Sequence, residues 1–472
     1  MTLKEEVIAL RRENAALRDQ VVVLEGQVAA LCGENTALRE QAEALEGQVA
    51  GLRQRIEESQ QKGKATPRFV KANLPKVTGT ERPRRKRKAE HNRGRRRDKP
   101  TKVVVHELEH CPDCGCKLYR RKVARRREVI ELPPVPVVEV TEHRVVKRYC
   151  PRCEGWRAPR LDLRGQVLGQ GRLGVRLVSL MGYLRASLRL PYRAIQEYLE
   201  TVHGVQVSVG EIVEVLHRLR REVEPTLMQL RAEMRGSATL HMDETGWRED
   251  GQNGYVWVGS TAGAEGVRYF EYHRSRGRQV VQHLLGAQFA GVLHSDFYGA
   301  YNVYLGGHQR CWVHLLRDLH ELREEHGSDE AVVNWANRVK ALYEEGQEYA
   351  IEGRLSKPEE RERKYTELLD RLQPLGLAYA QVKKHPCQAL AKRLLRHQDE
   401  LFLFVRVDGV AADNNLAERS LRPLVVARKI SGGTRSPEGS KTRMALASLF
   451  QTWRARALNP FMQCLAVLAQ GP

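Results

Sequence analysis

Long apolar runs are missing from this 472-residue chain. No stretch of about 18 apolar residues occurs and no signal-peptide pattern stands at its start, so neither a membrane span nor export is expected. Acidic residues are scarce relative to basic ones. Against 79 Lys and Arg stand 58 Asp and Glu, and the formal charge of +21 lies outside the balance of an ordinary enzyme. Such an excess implies a polyanionic partner, and without membrane signals that partner is expected to be nucleic acid. Cysteine is too sparse for a disulfide framework. The nine cysteines, four of them in two CxxC pairs, fit a reducing cytoplasm and metal binding instead. The length exceeds what one core usually fills, which predicts several domains.

Residues 1–58 read as a coiled coil. Leu3, Leu10, Leu17, Leu24, Leu31, Leu38, Leu45 and Leu52 recur every seven residues. With these at d, the a positions are Val7, Asn14, Val21, Val28, Asn35, Ala42, Val49 and Ile56, and β-branched a with leucine d favours a parallel two-stranded coil. Asn14 and Asn35 would fix its register, and Glu6–Arg11, Glu13–Arg18 and Glu34–Arg39 would pair across it. A homodimer is therefore expected. Gly26, Gly33, Gly47 and Gly51 each cost about 1 kcal/mol relative to alanine, which makes the expected interface modest.

Residues 59–104 form a basic linker. From Lys62 to Lys102 there are 17 Lys or Arg against 3 acids and no apolar periodicity, a composition expected to stay disordered alone and to lie along phosphates without reading sequence. Residues 105–160 follow as a small β module, in which Cys111-Pro-Asp-Cys114 and Cys150-Pro-Arg-Cys153 flank valine-rich strand-like stretches. Two such knuckles brought together supply the four thiolates of a structural Zn²⁺ site with no open position. Cys116, His106 and His110 are spare candidates. Residues 161–236 turn helical, with Tyr192–Thr201, a turn at His203 and Gly204, and Ser208–Arg220, where Ser208 is the expected N-cap and Glu211 completes a capping box. The pattern fits a helix-turn-helix that binds DNA and equally a helical hairpin packed under the next domain.

Residues 237–472 carry the chemistry. Strands are expected at 238–243, 255–261, 267–272 and 291–296, with a helix at 279–286 between the last two. Leu-His-Met-Asp-Glu-Thr-Gly-Trp ends at Trp247, His-Ser-Asp-Phe-Tyr-Gly-Ala-Tyr at Tyr301, and Asp-Asn-Asn-Leu-Ala-Glu-Arg at Arg419. Two aspartates just after apolar runs and a glutamate in a helix-like stretch are how a fold assembles carboxylates for two divalent cations. Glu244 is expected on the opposite strand face from Asp243, because side chains alternate. The charged stretch of about 315–408 reads as a helical insertion.

These motifs and their order resemble the DDE transposases of the insertion sequence sixty-six family over nearly the whole chain. The resemblance implies an α/β ribonuclease H-like catalytic domain with its first and fourth strands side by side, and Asp243, Asp296 and Glu418 as catalytic ligands of two Mg²⁺, replaceable by Mn²⁺. Asp243 would bridge both ions, with Asp296 and Glu418 each completing one site. It further implies cleavage of double-stranded DNA at insertion-sequence ends and joining of the 3′-hydroxyls to target DNA, with helper proteins from the same element as candidate partners and a place on the bacterial nucleoid. No covalent enzyme intermediate is needed, which agrees with the lack of an obvious Ser or Tyr nucleophile motif. Cys311-Trp312-Val313-His314 looks like an element of insertion-bearing relatives; His314 is a candidate contact to the scissile phosphate or a core histidine. Arg419 and Arg422 are candidate phosphate contacts through their guanidinium forks. Asp413 is an alternative third acid. Two other classes compete with this reading: a zinc- and zipper-containing DNA-binding regulator, and a transposase relic that binds DNA without cutting it.

Overall fold

The computed structural model describes residues 102–120, 122–123, 138–352 and 357–470, together with nine isolated helical positions between 21 and 47. The heptad leucines and almost all of the basic linker lie outside the described residues. The chain divides into two units, Met1–Ile130 and Glu131–Pro472. In the first, the Cys111 amide donates to the Cys116 carbonyl (2.8 Å) and the Gly115 amide to the Cys111 carbonyl (2.9 Å). Gly115 takes a φ of +72°, which a tight turn of this kind needs and glycine supplies without strain.

The second unit opens with a hairpin, β1 (Arg148–Cys150) and β2 (Gly155–Arg157), antiparallel, with Cys150 pairing Gly155. Four helices follow: α1 (Val175–Ala186), α2 (Tyr192–His203), α3 (Val209–Glu222) and α4 (Glu224–Arg235). Ser208 caps α3 as expected, its side chain accepting from the Glu211 amide at 3.0 Å, while the Glu211 carboxylate pairs with Arg172. The apolar stripe of α3, Ile212, Leu216 and Leu219, is buried. On its polar face Arg218 and Arg221 pair with Glu214, and Arg220 reaches Glu224 and Glu438.

A five-stranded mixed sheet forms the centre, in the order β5-β4-β3-β6-β7. Its strands are β3 (Thr239–Glu249), β4 (Gln252–Ser260), β5 (Arg268–His273), β6 (Val292–Ser295) and β7 (His308–Arg310), with α5 (Arg278–Leu285) crossing between β5 and β6. The first strand, β3, runs antiparallel to β4 and parallel to β6, the fourth, so the expected neighbours are adjacent. β3 continues to Glu249 rather than ending at Asp243, because β4 pairs with it along its whole second half.

The insertion is mainly helical among its described residues: α6 (Trp312–Glu325), α7 (Glu330–Glu352), α8 (Pro358–Ala380), α9 (Gln388–Arg396), α10 (Gln398–Leu401) and α11 (Leu403–Arg406). It has its own core around Trp312, Trp335, Leu368 and Phe404. The chain then returns as α12 (Asn415–Ser431), α13 (Pro437–Ala455) and α14 (Pro460–Gln470). Leu240, Met242 and Trp257 face one core with α1–α4, whereas Trp247, Val256, Val258 and Phe270 face Ala417, Leu421 and Leu424 of α12. That alternation decides which acids meet.

Candidate active site

Two motifs share a repeat, Leu-His-x-Asp: Leu240-His241-Met242-Asp243 and Leu293-His294-Ser295-Asp296. In the parallel register His241 pairs His294, so the aspartates lie two residues past that pair on each strand and on the same face. The two imidazoles are stacked with centroids 3.9 Å apart. Both are buried, and burial pushes His241 down to about 4 and His294 well below its ordinary value, so they support the acids as neutral rings. Asn414, at the N-cap of α12, binds the site together: its side chain donates to the Met242 carbonyl (2.7 Å) and lies 3.3 Å from His241 Nδ1, and its amide meets the Cys311 sulfur at 3.2 Å.

Glu418 stands in the first turn of α12 and Asp296 directly after β6. Asp243 senses both. Burial pushes its carboxyl up to about 8, Glu244 adds to this, the Glu244 amide opposes it, and Asp296 and Glu418 raise it further. The Asp296 carboxylate accepts from the Tyr298 amide at 2.9 Å. Arg310, wholly buried, donates to the Asp296 carbonyl at 2.8 Å and also to Asn302 and Glu400.

Cys311, His314 and Glu418 bring their ligand atoms within 4.8 Å of one another, and His314 Nε2 lies 3.8 Å from Glu418 Oε1. The oxygen Glu418 Oε1 and the nitrogen His314 Nδ1 are buried with no hydrogen-bond partner. Orphaned acceptors beside a crowd of acids fit a site that takes a cation. Burial holds the Cys311 thiol up at about 11, so it is neutral there. Asp243, Asp296 and Glu418 do not themselves form a cluster that tight; Glu418 is drawn to the start of α6.

Glu244 faces the other side of β3, next to Trp257 and Tyr301. It is bound by Arg276 at 2.6 Å and accepts from the Tyr301 hydroxyl. Arg276 in turn stacks 4.0 Å from the Tyr298 ring. This network carries no linear signal, since Arg276 stands 32 residues from Glu244 in sequence. Asp413 lies before α12 rather than within it, and its carboxylate accepts from the Asn415 amide at 3.0 Å. Arg419 and Arg422 are exposed on α12.

The cysteine pairs are preshaped within each unit. The Cys116 amide, then Cys111 and Cys116 as side chains, lower the Cys114 thiol; the Cys153 amide leads the same effect on Cys150. Amides aimed at sulfur favour the thiolate that a metal needs.

A mixed sheet with helices on both faces fits the catalytic domain of a transposase. The chain belongs to the Transposase IS66 family, whose model matches residues 170–442, more than half its length. Two proteins of Sinorhizobium fredii (strain NBRC 101917 / NGR234) are similar to it. Uncharacterized protein y4qI is 27% identical over 223 residues, 43% of this chain and 40% of that protein. Uncharacterized protein y4jO is 27% identical over 168 residues, 36% of this chain and 49% of that protein. The matched segment thus spans less than half of either relative. No helix among the described residues is long and apolar enough to cross a membrane.

Proposed function

We propose that the chain is a DNA transposase, acting in the bacterial cytoplasm, that cuts insertion-sequence ends and joins their 3′-hydroxyls to target DNA through a ribonuclease H-like site formed by Asp243, Asp296 and Glu418. The observation that supports this reading is the parallel register of β3 and β6, which sets Asp243 and Asp296 two residues past the paired His241 and His294, with Glu418 in the first turn of α12. Mg²⁺ or Mn²⁺ bound there would supply the Lewis acidity that activates water or a 3′-hydroxyl and neutralises the leaving oxygen. Asp243, Asp296 and Glu418 would hold the ions, Asn414 and Arg310 would fix the backbone beneath them, and His314, Arg419 and Arg422 would meet phosphate. Zn²⁺ on Cys111, Cys114, Cys150 and Cys153 would be structural, and residues 1–58 would dimerise.

Asp243→Asn, Asp296→Asn and Glu418→Gln are each expected to abolish metal-dependent nicking and strand transfer on duplexes carrying the element's ends, while DNA binding stays nearly intact. Asp413→Asn should stay active, because its carboxylate serves the turn before α12. Activity in any of the first three variants would remove that acid from the site. Unimpaired nicking by all three would overturn the reading, and wild-type protein that binds but never nicks would favour a regulator or relic.

A further inference from the structure

On the opposite face of the sheet from Asp243 lies a second cluster of ligand-type side chains. Glu271 and His273 are alternate residues of the edge strand β5, and His283 stands in the last turn of α5. His273 Nε2 is 3.0 Å and His283 Nε2 2.9 Å from the same oxygen, Glu271 Oε1. All three ligand atoms lie within 4.8 Å of one another. Neighbouring ligands on one ion, with bonds of about 2.1 Å, stand roughly 3.0 to 3.4 Å apart, so these spacings match a coordination edge as well as a hydrogen bond. The other oxygen of Glu271 is already held, accepting from the Tyr269 hydroxyl at 3.3 Å with Arg231 at 3.9 Å, and this turns Oε1 toward the imidazoles.

The hydrogen bonding is in conflict at one atom. Arg231 Nη2, 2.7 Å from His283 Nε2, needs a lone pair there, whereas Glu271 Oε1 at 2.9 Å needs a proton. A cation would take the lone pairs of both imidazoles and of Oε1, and Arg231 would then withdraw from His283 Nε2 and retain the His283 carbonyl, now at 3.3 Å, and its attraction to Glu271. His283 is half-exposed, which leaves a way in from solvent.

We propose that Glu271, His273 and His283 bind a first-row divalent cation of the zinc class, separate from the acids of the candidate active site. Two imidazoles and one carboxylate suit Zn²⁺ better than Mg²⁺, which prefers oxygen, and three protein ligands leave a position for water. The ion staples the sheet edge at β5 to α5. The test uses full-length protein stripped of metal, reloaded with Zn²⁺ alone and freed of excess by gel filtration. The His273→Ala/His283→Ala variant should retain about one zinc fewer per chain than the wild type, since the cysteine knuckles are common to both. Loading with Co²⁺ should give a wild-type-minus-variant spectrum with visible d–d bands and no thiolate charge-transfer band. Glu271→Gln keeps the shape and serves if the double variant fails to fold; Zn²⁺ should raise the melting temperature of the wild type more than that of Glu271→Gln. Equal zinc content, or equal stabilisation of wild type and Glu271→Gln, overturns the proposal.

Discussion

At Asp243 the protein keeps a carboxyl in a place that resists its charge. Burial leads and neighbouring acids follow, so its pKa sits near 8 against an ordinary 3.8. For an acid raised on folding, the folded chain binds more protons than the unfolded one between those values, so stability falls as pH rises through that window. Each unit is worth about 1.4 kcal/mol, and the total at pH 8 is a few kcal/mol. Metal-free Asp243→Asn is therefore expected to melt above the wild type at pH 8, with the gap narrowing toward pH 5; Mg²⁺ should then stabilise the wild type and leave the variant unmoved. A metal-free variant that melts below the wild type at pH 8 would show that the acid is not strained. This residue was legible because it follows a short apolar run within Leu-His-Met-Asp-Glu-Thr-Gly-Trp. The stacking of His241 on His294 was not, since it depends on which strands pair and in what register.

The elements hold the site by closing the sheet at both edges. On β5, the amides of Arg268 and Phe270 donate to the hydroxyls of Thr452 and Ser448 on α13, which occupies two outward-facing positions of that edge. On β7, Gln309 bonds the Leu401 carbonyl and the Phe404 amide, while Arg310 joins β7 to Glu400 of α10 and to the end of β6. Arg310→Met is expected to cost about 1 to 3 kcal/mol in urea unfolding, because Glu400 and the Asp296 carbonyl each lose one partner and keep only His397 and the Ser295 hydroxyl. The double variant Arg310→Met/Glu400→Leu should recover part of that loss; no recovery would mean that the arginine acts by packing alone. The helical character of the insertion could be read from pattern, and the adjacency of the first and fourth strands from the family resemblance. β7 could not, since three residues, His-Gln-Arg, carry no apolar alternation; they pair with β6, and the Gln309 side chain anchors them to the backbone of the insertion. The start of α12 at Asn415 likewise depends on the contact of Asn414 with Met242, which lies far away in sequence.

Along the chain, the densest positive charge and the candidate acids stand in different segments. Asp243 lies on β3, Asp296 directly after β6 and Glu418 on α12, while 17 Lys and Arg stand within residues 62–102. The helical hairpin α2–α3 adds little free positive charge, because Arg218, Arg220 and Arg221 of α3 are paired with Glu214, Glu224 and Glu438. Affinity for duplex DNA should then come largely from the linker, and contacts to phosphate release counterions, giving a slope of about −0.9 per contact in log K against log salt. Replacing Arg84, Arg85, Lys86, Arg87 and Lys88 with glutamine is expected to flatten that slope by up to about 4.5 and to weaken binding most at low salt. The single-turnover nicking rate at saturating protein should hardly change, because none of the five residues belongs to the folded acid site. A slope left as steep as the wild type's would move the phosphate contacts onto the folded domain, where the exposed Arg419 and Arg422 would be the next residues to replace.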